Sequence, residues 1–287
     1  MSVAVSDTPE WKLAVGRLMR EPLGVLGVLL VLLMVGGAVF ADWLSIYDPT
    51  RISPRDRFLA PSSEHFLGTD QLGRDLFARV LHGGRIALSV ALASTAISLA
   101  IGIVLGLLAG YGPRWLDNLL LLLFDSIKSF PTVMLALALV TLFGPSLTAV
   151  VIVVVLVNVP GYARIIRTQT LALKESEFVQ AAQSMGASTA RVLRVHIMPN
   201  VIGPLVILAS MDIPVVIAIE AGMSFLGLGV RPPTPSWGAI LNDGFTAIRD
   251  TPWIAIAGGL PIILTTLGFT FLGETLRDVF DPRLKGR

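Results

Sequence analysis

The chain has 287 residues, of which 54% are hydrophobic and 15% are charged, with a formal net charge of +2 at pH 7. Its mean hydropathy is +0.76, whereas a soluble globular domain is about a quarter charged. This composition excludes a disordered chain, a coiled coil and an autonomous soluble enzyme, and it indicates the lipid bilayer as the solvent. Cysteine is absent, which excludes disulfides, thiolate metal sites and cysteine nucleophiles. The basic residues form no stripe that could follow a phosphate backbone, so we expect no nucleic-acid partner.

Six apolar segments are long enough to cross a bilayer, since a spanning helix needs roughly 20 mostly apolar residues. In chain order they cover about 23–41, 86–108, 119–143, 147–159, 201–220 and 253–272. Gly144-Pro145-Ser146 separates the third span from the fourth. Ser94, Thr95 and Ser98, with Gly102 and Gly106, are typical of a closely packed helix. The predicted fold is an all-α integral membrane protein with six transmembrane helices.

The distribution of Lys and Arg predicts the orientation of these spans, because positively charged loops stay in the cytoplasm. With both termini inside, the inner segments hold more basic residues than the outer ones. Residues 1–22 are then a cytoplasmic segment, 42–85 an extracytoplasmic loop, and 86–287 the main transmembrane domain.

The outer loop 42–85 is expected to contain an interfacial helix. Leu72, Leu76 and Val80 recur at helical spacing, which predicts a helix from Thr69 to about Leu81 with these residues on the membrane face. Asp70, Arg74 and Asp75 would then face water or a partner protein.

The longest predicted inner loop, 161–200, is too polar to span the membrane. Glu177 to Met185 predicts a short helix that ends at Gly186 in a left-handed C-cap. Ser188 offers an N-cap to a second helix, from Thr189 to about Ile197, which Pro199 would stop. Small side chains at 181 and 182 would let the backbone of another protein approach closely. The alternative is an amphipathic surface helix that rests on lipid headgroups.

Several motifs carry a resemblance to a known family. The string Gln180-Ala181-Ala182-x-x-x-Gly186, followed by His196-x-x-Pro199-Asn200, resembles the cytoplasmic loop signature of bacterial ABC importer permeases. Residues 65–75 with Arg79 and Gly84-Arg85, and the stretches 221–238 and 273–283, are similar to the peptide and nickel permease subfamily. The stretch 221–238 is similar to its second-permease subunits. The family has a glutamate at the first position of its Glu-Ala-Ala triplet, where this chain has Gln180. A charge-assisted hydrogen bond at that position becomes neutral here, or passes to Glu177.

The resemblance implies a type I ABC importer permease fold in which the loop 161–200 carries a coupling helix. That helix would dock on a separate ATPase subunit through Glu177, Gln180, Ala181, Ala182, Gly186, His196 and Pro199. The implied partners are a homologous permease, two cytoplasmic ATPase subunits that bind ATP and Mg, and an extracytoplasmic solute-binding protein. The chain itself would have no catalytic residue and no cofactor, and it would lie in the bacterial inner membrane. Peptide is the expected substrate, with nickel, glutathione or an oligosaccharide as alternatives.

Ionisable residues inside the spans are expected to face the protein or a water path, because burying one in hydrocarbon costs at least about 2.5 kcal/mol. Asp125 and Lys128 share one face of the third span and can neutralise each other. Asp212, two residues before a proline, is a candidate for the translocation path or a subunit seam. Glu220 is expected at the outer interface. Candidates for an outer gate or a contact with the binding protein are Asp70, Arg74, Ser224 and Trp237.

Other site types fit the sequence poorly. Gly68-x-x-x-x-Gly73 has the glycine spacing of a phosphate-binding loop, but Arg74 and Asp75 follow where Lys and Ser or Thr are needed. The Gly222–Gly227 stretch is one residue out of register for a nucleophile elbow. The three histidines are too scattered for a tetrahedral metal site. The rival function is an ion-driven transporter with Asp125, Asp212 and Glu220 as a relay, which predicts inverted repeats and leaves loop 161–200 without a role.

Overall fold

The structure, a computed structural model, describes residues 18–280. Its helices are α1 Pro22–Val39, α2 Ala41–Leu44, α3 Leu76–Tyr111, α4 Arg114–Ser129, α5 Thr132–Phe143, α6 Leu147–Lys174, α7 Glu177–Ser184, α8 Thr189–Arg191, α9 Met198–Phe225, α10 Trp237–Thr246 and α11 Trp253–Phe280. A 3-10 turn lies at Pro54–Asp56, and a π turn, Val192–Ile197, joins α8 to α9. Some basic residues of the predicted inner segments lie outside the described residues, namely Lys12, Arg17, Arg283, Lys285 and Arg287. The end of the 273–283 motif also lies outside them.

The six-span, all-helical fold is confirmed. Five helices are long and apolar enough to cross a membrane on their own, and α4 with α5 forms a sixth, broken span. The described residues contain a single isolated β-bridge, between Thr69 and Asp75.

Several helices extend beyond the apolar segments that predicted them. α3 begins at Leu76 instead of near 86, and α6 continues through Pro160 to Lys174 instead of ending near Val159. The predicted bounds are those of spans and not of whole helices, because hydropathy registers only the part of a helix that lies in hydrocarbon. Backbone hydrogen bonds continue a helix through polar residues wherever its side chains find partners.

The predicted third span is two helices whose axes differ by 92°. The break lies at Phe130-Pro131, where Phe130 adopts an extended backbone. Proline lacks an N–H for the helical ladder and disfavours helical backbone at the residue before it. α5 has 12 residues, about 18 Å of helix, which is short of the about 30 Å hydrocarbon core. On its own, α5 is therefore too short to cross the membrane.

α3 and α6 form the central helix pair of the bundle. Gly102, Gly106 and Gly110 lie on one face of α3, where a Cβ would come within 2.6–2.7 Å of Tyr162, Ala163 and Thr170. Only glycine allows the two backbones to lie this close, which is how small residues drive helix association in membranes. The predicted close packing of this stretch is confirmed, since Ser94 and Ser98 are also fully buried.

α1 packs against α11 and is fastened to α3 at its C-terminal end. A Cβ at Gly27 would lie 2.7 Å from the Leu272 nitrogen, so these two helices are also in backbone contact. Arg85 donates from Nε to the Ala38 carbonyl at 2.7 Å and from Nη2 to the Val39 carbonyl at 3.0 Å. These are terminal carbonyls of α1 that have no partner within the helix, so the arginine caps it.

Candidate functional site

The segment around α7 has the turn geometry that the sequence predicted. Gly186 has φ +85°, its N–H donates to the Gln183 carbonyl at 2.9 Å, and the Ala187 N–H donates to the Ala182 carbonyl at 3.0 Å. These two bonds form a Schellman motif, in which the left-handed residue is usually glycine. The predicted short helix and its C-cap are confirmed, with the helix ending at Ser184.

α7 has one face toward the bundle and one face toward solvent. Val179 and Ala182 are buried against α6 and the π turn, whereas Glu177, Gln180 and Ala181 are exposed. The expectation that both alanines are open to a partner is therefore wrong for Ala182. Its methyl group faces the chain's own core, and only Ala181 is accessible.

The predicted second helix after Gly186 is not stopped by Pro199. Ser188 holds the N-cap position, without a side-chain hydrogen bond, and α8 runs through the π turn directly into α9. Pro199 follows the π turn as the second residue of α9, and it does not stop the helical path, which continues to Phe225. His196 is half-buried, and its ring centroid lies 6.3 Å from that of Phe178.

The exposed face of α7 is linked to the ends of the central helices. Gln183 Nε2 donates to the Tyr111 hydroxyl at the end of α3, at 2.9 Å. Lys174 Nζ lies 5.0 Å above the Tyr111 ring, within cation–π distance. Gln180 donates to the Glu175 carbonyl at 3.1 Å, so its amide is used within the chain. α7 is therefore in direct contact with the end of α3, and the end of α6 contacts the same tyrosine.

The predicted pairing of Asp125 with Lys128 is wrong. Asp125 on α4 pairs with Arg164 on α6, which sequence spacing along one helix cannot reveal. A second arginine of α6, Arg167, forms a two-pronged bond to Asp117, with Nε 2.5 Å from Oδ1 and Nη2 2.6 Å from Oδ2. Both pairs lie where the C-terminal half of α6 faces α4.

Asp212 is half-buried on α9, two residues before Pro214, which does not break the helix. Tyr162 on α6 is almost fully buried, and its hydroxyl has no hydrogen-bond partner. The structure thus keeps Asp212 on a helix of the bundle core, and the choice between pathway and subunit seam stays a prediction.

The predicted interfacial helix from Thr69 to Leu81 is wrong in its first half. Residues 69–75 form a tight turn closed by the Thr69–Asp75 bridge, and Gly73 has φ +72°. The Asp70 carboxylate accepts from the Leu72 N–H at 2.8 Å and the Arg74 N–H at 3.0 Å, which competes with helix formation. Asp75 then caps α3 by accepting from the Ala78 N–H. Leu76 is fully buried against α10 and α11 instead of facing lipid.

The outer turn holds a buried network of four charges. Asp70 binds Arg74 at 2.6 Å and Arg79 at 3.5 Å, and both arginines reach Asp243 on α10, at 3.3 and 3.6 Å. Asp70, Arg74 and Arg79 are each less than 10% exposed. Burial raises the pKa of Asp243 even though Arg79 and Arg74 favour its charged form. The network joins the loop, α3 and α10 into one unit, which we call the outer cap (residues 45–80 and 236–247).

Trp237 and Ser224 are also buried, which removes them from direct contact with another protein. The Trp237 indole donates to the Val80 carbonyl at 2.8 Å, and its ring covers Gly83 and Gly84. Ser224 donates to Glu220 Oε1 at 2.7 Å. Glu220 is 1% exposed, so it lies inside the protein, and its place at the depth of the outer interface stays a prediction. The loop after α9 folds back over this turn, since a Cβ at Gly229 would strike Ser224.

Sequence inspection missed the ion pairs of Arg79, Arg167 and Asp117. Arg79 belongs to a motif that carries the resemblance, whereas Arg167 and Asp117 lie outside these motifs, and each of the three gains a partner from a distant segment. The available clue was their occurrence at or near spans, where an unpaired charge is costly. Among the described residues, no group of three or more His, Asp or Glu side chains could hold a metal ion.

Comparison with known proteins decides the family. The family described as binding-protein-dependent transport system inner membrane component matches residues 102–286. The N-terminal transmembrane domain of oligopeptide transport permease C matches residues 10–61. The chain belongs to the binding-protein-dependent transport permease family. It is thus a multi-pass membrane permease of the ABC importer type, the transport subunit and not the ATPase subunit, as the motifs predicted.

Curated relatives share nearly the whole length of this permease. It is 37% identical to the dipeptide transport system permease DppC of Alkalihalophilus pseudofirmus over 96% of the chain and 90% of the relative. It is 40% identical to the glutathione permease GsiD of Pectobacterium atrosepticum, over 96% of the chain and 92% of the relative. It is also 40% identical to the di/tripeptide permease DppC of Pseudomonas aeruginosa, over 90% of the chain and 88% of the relative.

The fold resembles a solved ABC importer. An inward-facing structure of the methionine ABC transporter MetNI matches with a TM-score of 0.55 and 18% identity, covering 71% of this chain and 97% of that chain. The permease therefore has the type I ABC importer fold, and the predicted fold class is confirmed.

Proposed function

We propose that this permease is one half of a peptide-conducting pathway in a bacterial inner membrane. A homologous permease forms the other half, two cytoplasmic ATPase subunits bind ATP and Mg, and an extracytoplasmic binding protein delivers the solute. Both termini lie in the cytoplasm, which places α7 on the inner side and the outer cap on the opposite side. ABC permeases of this family work with ATPase and permease partners, and that general organisation supports the assignment.

The observation that carries the coupling role is the two-sided character of α7. The face of α7 that points to the bundle packs through Val179 and Ala182. On its opposite face, the side chains of Glu177, Gln180 and Ala181 are exposed. Met185 is 83% exposed and Phe178 is 47% exposed. Exposed apolar side chains on a short, firmly seated helix favour a protein partner over solvent. The helix is seated so that a push on its outer face is passed to α3 and α6.

Asp125, Lys128 and Asp212 are proposed to lie along the pathway or the seam between the two permeases. Asp125 and Lys128 are exposed on α4, and the Asp125–Arg164 pair is partly open to its surroundings. An exposed ion pair on a spanning segment is costly against lipid, so this face needs water or protein beside it. Asp70, Arg74, Ser224 and Trp237 instead hold the outer cap and the end of α9 together, and the binding protein would contact the outer surface of that cap.

Small peptides are the proposed solute. The three relatives described above are named for dipeptides, for di- and tripeptides and for glutathione, which is itself a tripeptide. Glutathione is the alternative. Uptake of a labelled dipeptide by proteoliposomes with the complete transporter, in competition with unlabelled glutathione, separates the two. Strong competition by glutathione would favour the alternative, and the absence of ATP-dependent uptake of either would contradict the proposal.

Cysteine variants test the coupling surface, because the native chain has no cysteine. Ala181→Cys should react with a thiol reagent in the isolated permease and be protected in the complex with the ATPase subunits. Ala182→Cys is the matched control, since it is one residue away and buried, and it should stay unreactive in both. Reaction of Ala181→Cys at the same rate with and without the ATPase subunits would contradict docking at α7.

A further inference from the structure

Two arginines in the C-terminal half of α6 form ion pairs with α4. Arg167 grips both oxygens of Asp117, and Arg164 binds Asp125. The Arg167–Asp117 pair is the better shielded, with side chains 24% and 18% exposed, against 41% and 70% for the other pair. A two-pronged arginine–carboxylate bond fixes orientation as well as distance, so it can transmit a movement and not only resist separation.

The other contacts of α4 are apolar. Leu120 and Phe124 are buried against Ala109 of α3 and Ala163 of α6, whereas α5 buries Ala136 alone. On its far side α4 ends at the 92° break, which transmits little because no helical hydrogen bonds cross it. The position of α4 relative to the bundle is therefore set mainly by its contacts with α6 and the end of α3.

α6 connects these arginines to the coupling helix without a flexible joint. It runs unbroken to Lys174, and α7 begins at Glu177. Ser176 closes the short connection by donating to the Leu173 carbonyl at 2.5 Å. Arg167 lies about two helical turns above the end of α6. A displacement of α7 therefore reaches Arg167 through continuous helix, and it reaches Asp117 either across the ion pair or through the Gln183–Tyr111 bond and the short connection from α3 to α4.

We propose that the Asp117–Arg167 pair is the link that makes α4 follow the coupling helix, so that both are positioning residues for transport. The inference rests on the proposed docking of ATPase subunits at α7. When the link is intact, ATP-driven displacement of α7 and α6 carries α4 and its open polar face along. When the link is broken, the ATPase subunits still close and hydrolyse ATP, but the α4 side of the broken span is left behind.

Charge reversal tests this link in the complete transporter in proteoliposomes, with peptide uptake and ATP hydrolysis measured together. Asp117→Arg and Arg167→Asp should each lower the peptide imported per ATP hydrolysed by about tenfold, the scale of one lost charge-assisted bond. The double variant, in which the pair is rebuilt with its charges exchanged, should recover most of that ratio. Asp250→Arg, an exposed acidic residue outside the bundle contacts, is the control and should leave the ratio unchanged.

A merely structural role gives a different pattern. Uptake and hydrolysis would then fall in proportion to the amount of assembled complex, with an unchanged ratio, and the inference would be overturned. Failure of the double variant to recover, with complex assembled, would overturn it as well. Should the reversals prevent assembly, the milder Asp117→Asn decides, because it keeps the shape and removes the charge. A normal ratio in Asp117→Asn would also count against the link.

The two proposals fail separately. If Ala181→Cys is not protected by the ATPase subunits, docking at α7 is wrong whatever the ratio shows. If Ala181→Cys is protected and the reversals leave the ratio intact, docking stands and the link to α4 is wrong.

Discussion

The two ends of the bundle handle charge in opposite ways. In the outer cap Asp70 and Arg79 are 1% and 3% exposed and belong to one four-membered network. At the inner end Asp125 and Arg164 pair while both stay partly open. A buried network loses much when one member is removed, because the others stay behind unpaired, whereas an exposed pair loses little. The difference indicates an outer cap that keeps one arrangement and an inner end that tolerates rearrangement.

The same contrast appears in the backbone. The outer cap is closed by tight turns in which Gly73 lies against the Ser53 backbone, leaving no room for any side chain. At the inner end, nothing lies within 4 Å of the position that a Gly186 Cβ would take. Close packing leaves room for glycine alone at position 73, whereas at position 186 the left-handed backbone is what favours glycine. A surface that must accept another protein needs the second kind of glycine.

Removing Asp70 is the strongest test of this contrast. Asp70→Ala leaves Arg74 and Arg79 buried with Asp243 as their one remaining carboxylate, at 3.3 and 3.6 Å, which should lower the free energy of unfolding by about 3–5 kcal/mol. Thermal unfolding of the purified permease in detergent measures the loss. Asp250→Ala, at an exposed carboxylate, serves as the control. Similar unfolding of both variants would remove the distinction between a fixed and an adaptable end.

Gly186→Leu tests the inner end with a smaller change in stability. A left-handed backbone costs an L-residue about 1–2 kcal/mol, so the variant should insert and remain folded. The turn that orients α7 would relax, and peptide uptake should be lost. Gly203→Leu is the matched control, because it too has open space but lies in ordinary helical backbone. Normal uptake by Gly186→Leu with the ATPase subunits bound would contradict the role of this turn.

Acidification probes the smallest effect, at the join between α1 and α3. Hydrogen bonds from Arg85 and then His82 lower the pKa of Asp42 below its ordinary value. The stabilisation is therefore present above the unfolded-state pKa of the carboxyl group and is lost as the pH falls through its folded value. We expect the wild type to melt slightly above Asp42→Asn at neutral pH. The difference should vanish once the pH has fallen below the folded-state pKa of Asp42, which lies under the ordinary value of about 3.9. A difference that persists in acid would mean that the bond matters through shape and not charge.

The number of spans could be predicted because each needs a long apolar segment that nothing else in a protein requires. The break at Phe130-Pro131 could not, because apolar residues continue on both sides and hydropathy averages across a proline. Pro160 and Pro199 show the converse, since each is accommodated in a continuous helical path. A proline has its effect only where the surrounding contacts leave the backbone free to bend.

The candidate site divides along the same line. Gly186 was predictable because the left-handed cap is a local property of α7 and its turn. The distant partners of Asp125 and Arg74 were not, because Arg164 and Asp243 approach only after the chain has folded. Local spacing pointed to Lys128 in one case and to open water in the other, and tertiary contact overrode both.

The unbroken length of α6 has a geometric consequence for signalling across the membrane. Its 28 residues make a rod about 42 Å long, so rotating it by about 5° about one end sweeps the other through about 4 Å. The far end follows Gly144, where a Cβ would sit 3.0 Å from the Arg231 guanidinium of the opposite surface. In the proposed transporter, a small rotation of α6 caused by ATP hydrolysis at its inner end would thus become a displacement of several ångströms at its outer end, beneath the proposed binding protein.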